Sequence, residues 1–248
     1  MTRALILGGT LDAGLLAAAI ARAGIDAVYS YGGRTRAPAG QPLPTRIGGF
    51  GGPSGLADYI RTEAITHLID ATHPFAAEMS RNAVVACAET GTPLIALERA
   101  PWTRMAGDRW IEVADVAAAV AALPENAARV FLAIGRQHIA PFGTKSEHSY
   151  TLRFVDPPDG PLPFEADVIV SRGPFTLDGE LEMMRTRGIQ WIVARNSGGD
   201  GARAKMDAAR LLGLPVIMIT RPLLPERQRV ERVIDVLQWL GHRTCLGA

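Results

Sequence analysis

The sequence predicts two α/β domains in tandem, each built around a parallel sheet. Short apolar runs alternate with helical stretches of about ten to fifteen residues along the chain, which is the pattern of repeated β-α units. The alternation starts afresh after the segment Glu98–Trp102. A chain of 248 residues has room for one large or two small domains, at about 150 residues per domain. We therefore expect domains at 1–98 and 99–248.

In the first domain, the first apolar run closes at Gly8-Gly9 and leads directly into an Ala/Leu-rich stretch, as expected for a tight β-to-α turn. The glycine- and proline-rich region 34–52 is expected to consist mostly of loop. The predicted strands are Ala4–Leu7, Ala27–Tyr31, His67–Ala71 and Pro93–Leu97, and the predicted helices are Asp12–Ala23, Ser54–Glu63 and Ala76–Thr90.

In the second domain, β-prone runs are again separated by helical stretches, and the proline-rich segment Asp156–Phe164 is expected to be a loop. The predicted strands are Trp110–Val113, Val130–Ile134, Tyr150–Phe154, Val168–Ser171, Trp191–Ala194 and Val216–Thr220. The predicted helices are Leu177–Arg187, Ala202–Leu212 and Val230–Leu240.

Composition excludes several classes of protein. Hydrophobic residues make up 48% and charged residues 21%, as in globular domains and unlike disordered chains. The net charge is +1, so no strong positive field would attract a nucleic-acid backbone. Cys87 and Cys245 have no CxxC spacing, and no metal site is expected. We see no export signal and no apolar run of about 20 residues, so we expect a cytoplasmic protein without membrane partners.

The turn after the first strand is a candidate phosphate site. Gly8 and Gly9 would let the backbone approach a phosphate, Thr10 adds a hydroxyl, and the following helix N-terminus favours an anion. The glycines do not form the GxGxxG fingerprint, because the third is Gly14. An ordinary β-to-α turn therefore remains an equal alternative.

The end of the second predicted strand bears on the choice of dinucleotide. NAD sites usually have an acidic residue there, whereas NADP sites often have arginine. The chain has Gly33-Arg34-Thr35-Arg36 at this end, and Asp26 lies at the opposite end of the strand. If a dinucleotide binds, NADP(H) is favoured. The alternative is that these arginines are solvated loop charges.

Two further segments of the first domain fall beside these strand ends. The segment GGFGG at Gly48–Gly52 would let the main chain approach a flat ligand, with Phe50 against a ring; a flexible loop is the alternative. Thr72 and His73 follow another strand. His73 could donate a proton near neutral pH or simply hydrogen-bond within the turn.

Basic and polar side chains also close the strands of the second domain. Because carboxyl ends of parallel strands share one edge of a sheet, such residues are expected to gather there. Arginine pairs with carboxylate or phosphate through two hydrogen bonds, so this edge predicts an anionic ligand; unrelated surface arginines are the alternative. The residues are Arg136, Arg172, Arg195 and Ser197, with Lys205 in the following helix.

Nine segments form an ordered pattern along the chain: GGTLDAGLLA, YGGRTRAP, GGFGGPSGL, IDATHPFA, LERAPW, GRQ, RGPF, RNSGGDGARAKMDAA and PVIMITRP. In this order and spacing the chain resembles the precorrin-6A reductases over essentially its whole length. The resemblance implies two Rossmann-like domains with an interdomain cleft. It also implies NADPH-dependent reduction of one double bond of the precorrin-6A macrocycle, giving precorrin-6B in cobalamin biosynthesis, with no metal or flavin.

The resemblance also implies roles for individual residues. A tetrapyrrole with many carboxylates would be the substrate, and NADP(H) the cofactor. The expected cofactor contacts are Gly9, Thr10, Gly33, Arg34, Thr35, Gly49, Phe50 and Thr72. The expected substrate contacts are Arg136, Arg172, Arg195 and Ser197. His73 and Lys205 are the candidate catalytic residues, because either could supply the proton; a hydroxyl or water could supply it as well.

Two other functions stay open. The first is the cobalt-containing version of the same reaction, which shares the motifs; Arg34 favours NADPH over the NADH that this version could use. The second is a non-catalytic module that binds a nucleotide or a tetrapyrrole. Contact with neighbouring pathway enzymes is left open as well.

Overall fold

The chain folds into two compact units. The computed structural model describes residues 2–33, 40–158 and 160–241. Unit 1 comprises the described chain up to Ala100 together with the segment that begins at Pro222, and unit 2 comprises Pro101–Arg221.

Strands and helices alternate along the described chain. The first stretch contains β1 (Arg3–Leu7), α1 (Leu11–Arg22), β2 (Asp26–Tyr31), β3 (Thr45–Ile47), α2 (Gly52–Thr62), β4 (His67–Asp70), α3 (Ala77–Thr90) and β5 (Leu94–Leu97). Unit 2 contains β6 (Arg109–Val113), α4 (Val116–Ala121), β7 (Arg129–Ala133), 3-10 helices at Arg136–His138 and Ala140–Thr144, β8 (Ser149–Phe154), β9 (Ala166–Val170), α5 (Leu177–Thr186), β10 (Trp191–Arg195), α6 (Ala204–Leu211) and β11 (Pro215–Ile219). The returning segment contains β12 (Gln228–Val230) and α7 (Val233–Trp239).

The sheet of unit 1 has the strand order β3-β2-β1-β4-β5-β12, and all of its described pairs are parallel. The chain order reverses between β1 and β4, which opens a crevice beyond the carboxyl ends of these strands. Leu7 pairs with Ser30 on one side and with Asp70 on the other. The residues that follow these three positions are therefore brought to the same edge of the sheet.

Both faces of this sheet are covered, as parallel strands require. Ile6 and its neighbours on one face pack in a cluster with Leu16 of α1 and Val236 of α7. Leu5 on the other face packs in a cluster with Leu56 of α2 and residues of α3. The continuous apolar character of β1 follows from this burial on both sides.

The sheet of unit 2 has the order β6-β11-β10-β7-β8-β9, and its described pairs are also parallel. Here the chain order reverses between β7 and β10. One core cluster contains Trp110, Phe131, Ile192 and Met218, contributed by four different strands. Unit 2 thus repeats the arrangement of unit 1, except that its first strand, β6, lies beyond β11 at the sheet edge.

The predicted α/β class with parallel sheets is confirmed. The structure divides the chain differently from the predicted domains 1–98 and 99–248, because the segment from Pro222 returns to unit 1 and pairs its strand β12 with β5. Val230, predicted as the first residue of a helix, is the last residue of β12. Among the described residues, no helix is long and apolar enough to cross a membrane.

Candidate functional site

A cavity of about 400 Å³ lies beyond the carboxyl ends of β1, β2, β3 and β4. It occupies the switch point of the sheet in unit 1, where open parallel sheets bind ligands. Eight of its eighteen lining residues are glycines, and the others come from the ends of β1 and β2, from the loop after β3, from the turn after β4 and from α3. The lining residues are Leu7, Gly8, Gly9, Ser30, Tyr31, Gly32, Gly33, Gly48, Gly49, Phe50, Gly51, Gly52, Thr72, His73, Ala76, Glu78, Met79 and Asn82.

The turn after β1 rests on Tyr29, a fully buried residue of β2. The backbone N–H of Gly9 donates to Tyr29 Oη at 2.9 Å. A Cβ at Gly8 would overlap the Tyr29 ring, so only glycine fits there. Burial raises the pKa of Tyr29 to about 12, so the phenol is protonated at neutral pH. The predicted glycine turn therefore lines the cavity, with one of its N–H groups already bound to Tyr29.

Thr10 has a structural place in this turn. Its hydroxyl accepts a hydrogen bond from the N–H of Ala13 at 3.1 Å, which caps α1. The same hydroxyl donates to the carbonyl of Ala71 at 2.9 Å, and so joins the ends of β1 and β4. Thr10 is not among the residues that line the cavity. The structure thus gives the hydroxyl, predicted as a phosphate contact, two protein partners.

The loop Gly48–Gly52 forms another wall of the cavity and is bound to Arg46, in the middle of β3. Arg46 Nη1 donates to the Gly48 carbonyl at 2.9 Å, and Nη2 donates to the Gly49 carbonyl at 3.0 Å. Its guanidinium also lies 3.8 Å from the centre of the Phe50 ring. Gly49 and Phe50, both predicted cofactor contacts, line the cavity, whereas Arg46 was not among the predicted residues.

Gly33 also lines the cavity. Its backbone has a φ of +74°, and a Cβ there would lie 3.6 Å from the Gly48 Cα, so the two loops run close together. Arg34 and Thr35, the next two predicted cofactor contacts, lie outside the described residues.

The turn after β4 is held by a buried carboxylate. Asp70 Oδ1 accepts hydrogen bonds from the backbone N–H of Thr72 at 3.2 Å and from its hydroxyl at 2.6 Å. Asp70 Oδ2 accepts from the Ser80 hydroxyl at 2.6 Å. These contacts give Asp70 a structural role in the turn. Thr72 is placed against the cavity because both of its donors bind the same carboxylate oxygen.

His73 lines the cavity beside Thr72. Its Nδ1 lies 3.2 Å from the backbone nitrogen of Phe75, which can only donate. In this arrangement Nδ1 accepts, and Nε2 is the ring nitrogen that carries a proton. The structure thus supplies the hydrogen bond within the turn that was one of the two predicted roles of His73.

The returning segment contributes a buried cation to this region. Arg227 Nη2 lies 2.8 Å from Glu98 Oε2 and 3.8 Å from Asp70 Oδ2. The three side chains are at most 10% exposed. Local sequence patterns do not indicate this cluster, because Arg227 follows unit 2 in the chain and reaches unit 1 through the pairing of β12 and the packing of α7.

Three of the predicted residues of unit 2 lie around the end of β10. Arg195 is the last residue of that strand, and Ser197, 8% exposed, follows it. Arg221 Nη2 donates to the Ser197 carbonyl at 3.1 Å. Lys205 Nζ donates to the Ala202 carbonyl at 2.9 Å and lies 5.1 Å from the centre of a Trp102 ring. Arg195 and Ser197 thus lie at the end of β10, and Lys205 lies in the first turn of α6.

Arg136 and Arg172 lie on other strand ends of unit 2. Arg136 follows β7, which neighbours β10, and is exposed. Arg172 follows β9, two strands from β7, and its side chain is 62% exposed. Arg172 Nη2 lies 3.4 Å from Asp156 Oδ1. Arg136 and Arg195 thus lie at the ends of neighbouring strands, whereas Arg172 follows a strand two positions from β7.

The cavity is also lined by residues that no sequence pattern singled out. Glu78, Met79 and Asn82 reach it from the first turns of α3. Their positions follow from the short turn between β4 and α3, which sets the beginning of the helix against the switch point.

Both units are doubly wound α/β units, and the order β3-β2-β1-β4-β5-β12 of unit 1 is the strand order of the Rossmann fold. The glycine-walled cavity lies where that fold binds its ligands.

The comparisons with known proteins identify the family. The chain matches the family model "Precorrin-6x reductase CbiJ/CobK" over residues 3–241 and belongs to this family. It is 58% identical over 242 residues to the precorrin-6A reductase of Rhodobacter capsulatus, covering 97% of this chain and 96% of that protein. The identity to the precorrin-6A reductase of a Sinorhizobium species is 48%, covering 97% of this chain and 93% of that protein.

A solved structure described as CobK precorrin-6A reductase superimposes with a TM-score of 0.93 at 58% identity, covering 97% of this chain and 96% of that one. The resemblance drawn from the nine sequence segments is confirmed, and the chain is an oxidoreductase.

Proposed function

We propose that the chain is a precorrin-6A reductase of cobalamin biosynthesis, which transfers a hydride from NADPH to one double bond of the precorrin-6A macrocycle and gives precorrin-6B. The similarity to proteins of that name, which extends over nearly the full length of the chain, supports this substrate. The proposed substrate is a tetrapyrrole with several carboxylates, and the proposed partners include neither nucleic acid nor a membrane. The proposed location of the reaction is the cytoplasm.

The cavity in unit 1 fits a nucleotide. Its volume of about 400 Å³ falls in the range of small-molecule sites, roughly 300–1,000 Å³. Gly9 and Gly49 bring backbone to its surface, and a Cβ at either position would stand in open space. The N-terminus of α1 follows Gly9 and favours an anionic group. Asp12 in that first turn is balanced by Arg99, whose Nη1 lies 2.9 Å from the carboxylate.

The sequence of β2 supports NADPH as the cofactor. No carboxylate stands at its carboxyl end, where an NAD site would have one, because the strand runs into Gly32 and Gly33. Asp26 lies at the other end of β2 and pairs with Arg3 at 3.4 Å. Arg34 and Thr35 are kept as proposed contacts to the cofactor phosphates. If Arg34 binds the additional phosphate of NADPH, Arg34→Ala removes the preference for NADPH over NADH.

When bound, the nicotinamide ring supplies the hydride, and residues of the chain position it. Phe50 gives the cavity an apolar ring beside the glycine backbone. The Thr72 hydroxyl donates its hydrogen bond to Asp70. Toward a ligand, Thr72 Oγ1 can therefore only accept a hydrogen bond, for example from an amide N–H. His73 offers Nε2–H as a donor in the same region.

The basic residues of unit 2 are proposed to bind the acetate and propionate groups of the macrocycle or a cofactor phosphate. Arginine suits this role because its planar guanidinium pairs with a carboxylate through two hydrogen bonds. The proposed contacts are Arg136, Arg172, Arg195 and Ser197. Lys205 is the proposed source of the proton that follows the hydride, with a hydroxyl or water as the alternative. His73, the other predicted source, is proposed to donate a hydrogen bond through Nε2.

Protection against thermal unfolding tests the nucleotide site. We expect NADPH to raise the unfolding midpoint more than NADH at equal concentration, because the ligand that binds more tightly stabilises the folded state more. A hundredfold excess over the Kd gives about 2.7 kcal/mol. Gly49→Ala adds a methyl group inside the cavity and should reduce this protection without lowering the midpoint of the protein alone. Gly160→Ala adds the same group at an open position in unit 2 and serves as the control.

A turnover assay tests the reaction itself. Oxidation of NADPH is measured with metal-free and with cobalt-loaded precorrin-6A, and we expect the metal-free ring to react faster. Faster turnover of the cobalt-loaded ring would assign the chain to the cobalt version of the reaction. Tight binding of the ring without NADPH oxidation would show a non-catalytic binding module instead. Failure of both nucleotides to bind, with or without the ring, would overturn the nucleotide site.

A further inference from the structure

We propose that Arg46 is a positioning residue that holds the loop Gly48–Gly52 in the shape that receives the nucleotide. The inference rests on the proposed function of the cavity and adds to it a residue that does not itself line the wall. Arg46 lies in β3, directly opposite Ser30 of β2 in the parallel pairing. This register places its guanidinium between the carboxyl end of β2 and the beginning of the loop.

The guanidinium of Arg46 binds three neutral acceptors. Nη1 donates to Ser30 Oγ at 2.8 Å and to the Gly48 carbonyl at 2.9 Å, and Nη2 donates to the Gly49 carbonyl at 3.0 Å. Ser30 is 4% exposed, so the anchor on the sheet is a fixed one. Because these acceptors carry no charge, they do not neutralise the positive charge of Arg46, which adds to the potential beneath the loop.

Aromatic contacts complete the hold on the loop. The Arg46 Cζ lies 3.8 Å from the centre of the Phe50 ring and 5.2 Å from that of Tyr59 on α2. Phe50 and Tyr59 in turn meet edge to face, with ring centres 5.2 Å apart. A cation over an aromatic face is attracted to it. One side chain thus joins β2, the loop and α2.

The loop needs such a partner because of its glycines. Gly48, Gly51 and Gly52 have φ values of +121°, +82° and +89°, a region that glycine enters freely. The same freedom makes an ordered glycine loop costly in conformational entropy. Arg46 fixes the loop by binding the carbonyls at its beginning.

Fixing two carbonyls also fixes two donors. In a planar trans peptide the N–H points away from the C=O, so binding the Gly48 carbonyl to Arg46 turns the N–H of Gly49 away from Arg46. The same holds for the Gly49 carbonyl and the N–H of Phe50. Gly49 and Phe50 line the cavity, whereas Arg46 does not. We infer that Arg46 directs these two successive N–H groups toward the nucleotide as hydrogen-bond donors.

Arginine has properties here that lysine lacks. A lysine ammonium keeps the charge, but it has no planar fork to reach acceptors in three directions while stacking on Phe50. For Arg46→Lys we expect the Kd for NADPH to rise about tenfold or more, with a matching rise in its KM and little change of kcat at saturating NADPH. Arg46→Met should raise the Kd at least as much. Arg61→Lys is the control, because Arg61 on α2 forms exposed pairs with Asp58 and Glu89.

Hydrogen exchange without nucleotide separates this inference from the proposed function. We expect the amides of the loop Gly48–Gly52 to exchange faster in Arg46→Lys than in the wild type, while those of β1 stay protected. If the wild type binds no NADPH, the proposed function fails, and the exchange rates still test the hold of Arg46 on the loop. Unchanged loop exchange in Arg46→Lys, or an unchanged Kd in a protein that binds NADPH, overturns the inference. If Arg46→Met does not fold, Arg46→Lys decides.

Discussion

His73 is in hydrogen-bond contact with the backbone of its own turn, and this contact limits what the ring can do. Nδ1 accepts from the N–H of Phe75 at 3.2 Å, so the neutral ring carries its proton on Nε2. To act as a strong acid, the ring must first take a proton on Nδ1 and lose the bond to Phe75. We therefore expect His73 to serve as a hydrogen-bond donor through Nε2 in the bound state.

A glutamine at this position tests that role. The side-chain amide of His73→Gln places an N–H donor near the position of Nε2, so we expect kcat to stay within about threefold of the wild type. His73→Ala removes the donor and should lower kcat further. The measurement is turnover at saturating NADPH and macrocycle. A loss of about a hundredfold or more in His73→Gln would instead assign proton donation to His73, since general acid catalysis contributes about that much.

His67 makes the stability of the protein depend on pH. Its ring is partly buried and lies edge-on to the Trp239 ring, with centres 5.0 Å apart. Burial lowers the pKa of His67 below its ordinary value of 6.5. Between the pKa of His67 in the folded chain and that in the unfolded chain, the unfolded chain binds a proton that the folded chain does not. The contribution of His67 to the free energy of unfolding is therefore fully present above pH 6.5 and is lost as the pH falls toward the lowered pKa.

We expect the unfolding midpoint of the wild type to be lower at pH 5.5 than at pH 7.5. The decrease should be smaller in His67→Gln, which has no such group to titrate. Thermal unfolding of both proteins in matched buffers measures the difference. An equal fall in the two proteins would show that other groups set the pH dependence.

At the scale of elements, α1 depends on its N-cap. The Thr10 hydroxyl accepts from the N–H of Ala13 and donates to the carbonyl of Ala71. Loss of an N-cap usually costs about 1 kcal/mol, so Thr10→Ala should reduce the free energy of unfolding by about 1–2 kcal/mol, and Thr10→Ser should restore most of it. We expect the Kd for NADPH to change little, because both partners of the hydroxyl belong to the protein.

Denaturant unfolding and a nucleotide titration distinguish the two roles of Thr10. The control is Thr176→Ala, which removes the corresponding cap of α5 in unit 2, where the Thr176 hydroxyl accepts from the N–H of Gly179. A higher Kd for NADPH in Thr10→Ala, with the free energy of unfolding unchanged, would support the phosphate contact that the sequence predicts.

The elements differ in how far the sequence predicts them. Short apolar runs closed by glycine or a turn and helices of several turns give a clear signal, and β1, α1 and β4 lie within a residue or two of their predicted bounds. The strands β3 and β12 have only three residues each, too few to show an alternating pattern. They form because an open edge of a sheet lies beside them, which is a property of the fold and not of their own sequences.

The site shows the same division. Glycines and the residues directly after a strand were predicted, because the edge of a parallel sheet is a known place for ligands. Tyr29, Arg46 and Arg227 were not, since each acts through pairing between distant segments. Tyr29 reaches the Gly9 N–H only through the register of β1 and β2, which a linear motif does not show.

At the scale of the whole molecule, the chain leaves unit 1 at Ala100 and returns to it at Pro222. The returning segment supplies both an edge strand and part of the core, since Val236 and Leu237 of α7 lie in the apolar cluster of unit 1. Unit 1 is thus completed only after unit 2 has been made. Its stability depends on contacts between residues more than a hundred positions apart, such as Arg227 with Glu98.

Among the described residues of the returning segment, Arg227 is the most deeply buried charged residue. Its side chain is 6% exposed, and it stands between the carboxylates of Glu98 and Asp70. Removing one partner from a buried ion pair leaves an uncompensated charge and usually costs about 3–5 kcal/mol. For Arg227→Met we expect a loss of that order, together with weaker protection by NADPH, because Asp70 also holds Thr72 at the cavity.

The loss should be confined to unit 1, where all partners of Arg227 lie. Hydrogen exchange measured by peptide is expected to accelerate in β4, β5 and β12 of Arg227→Met while β7 and β10 keep their protection. Arg229→Met is the matched control, since Arg229 is an exposed residue of β12, two positions after Arg227, and its loss leaves the two carboxylates paired. Unchanged exchange in β4 and β5 would mean that β12 and α7 hold the return through backbone pairing and apolar packing, without help from the buried charge.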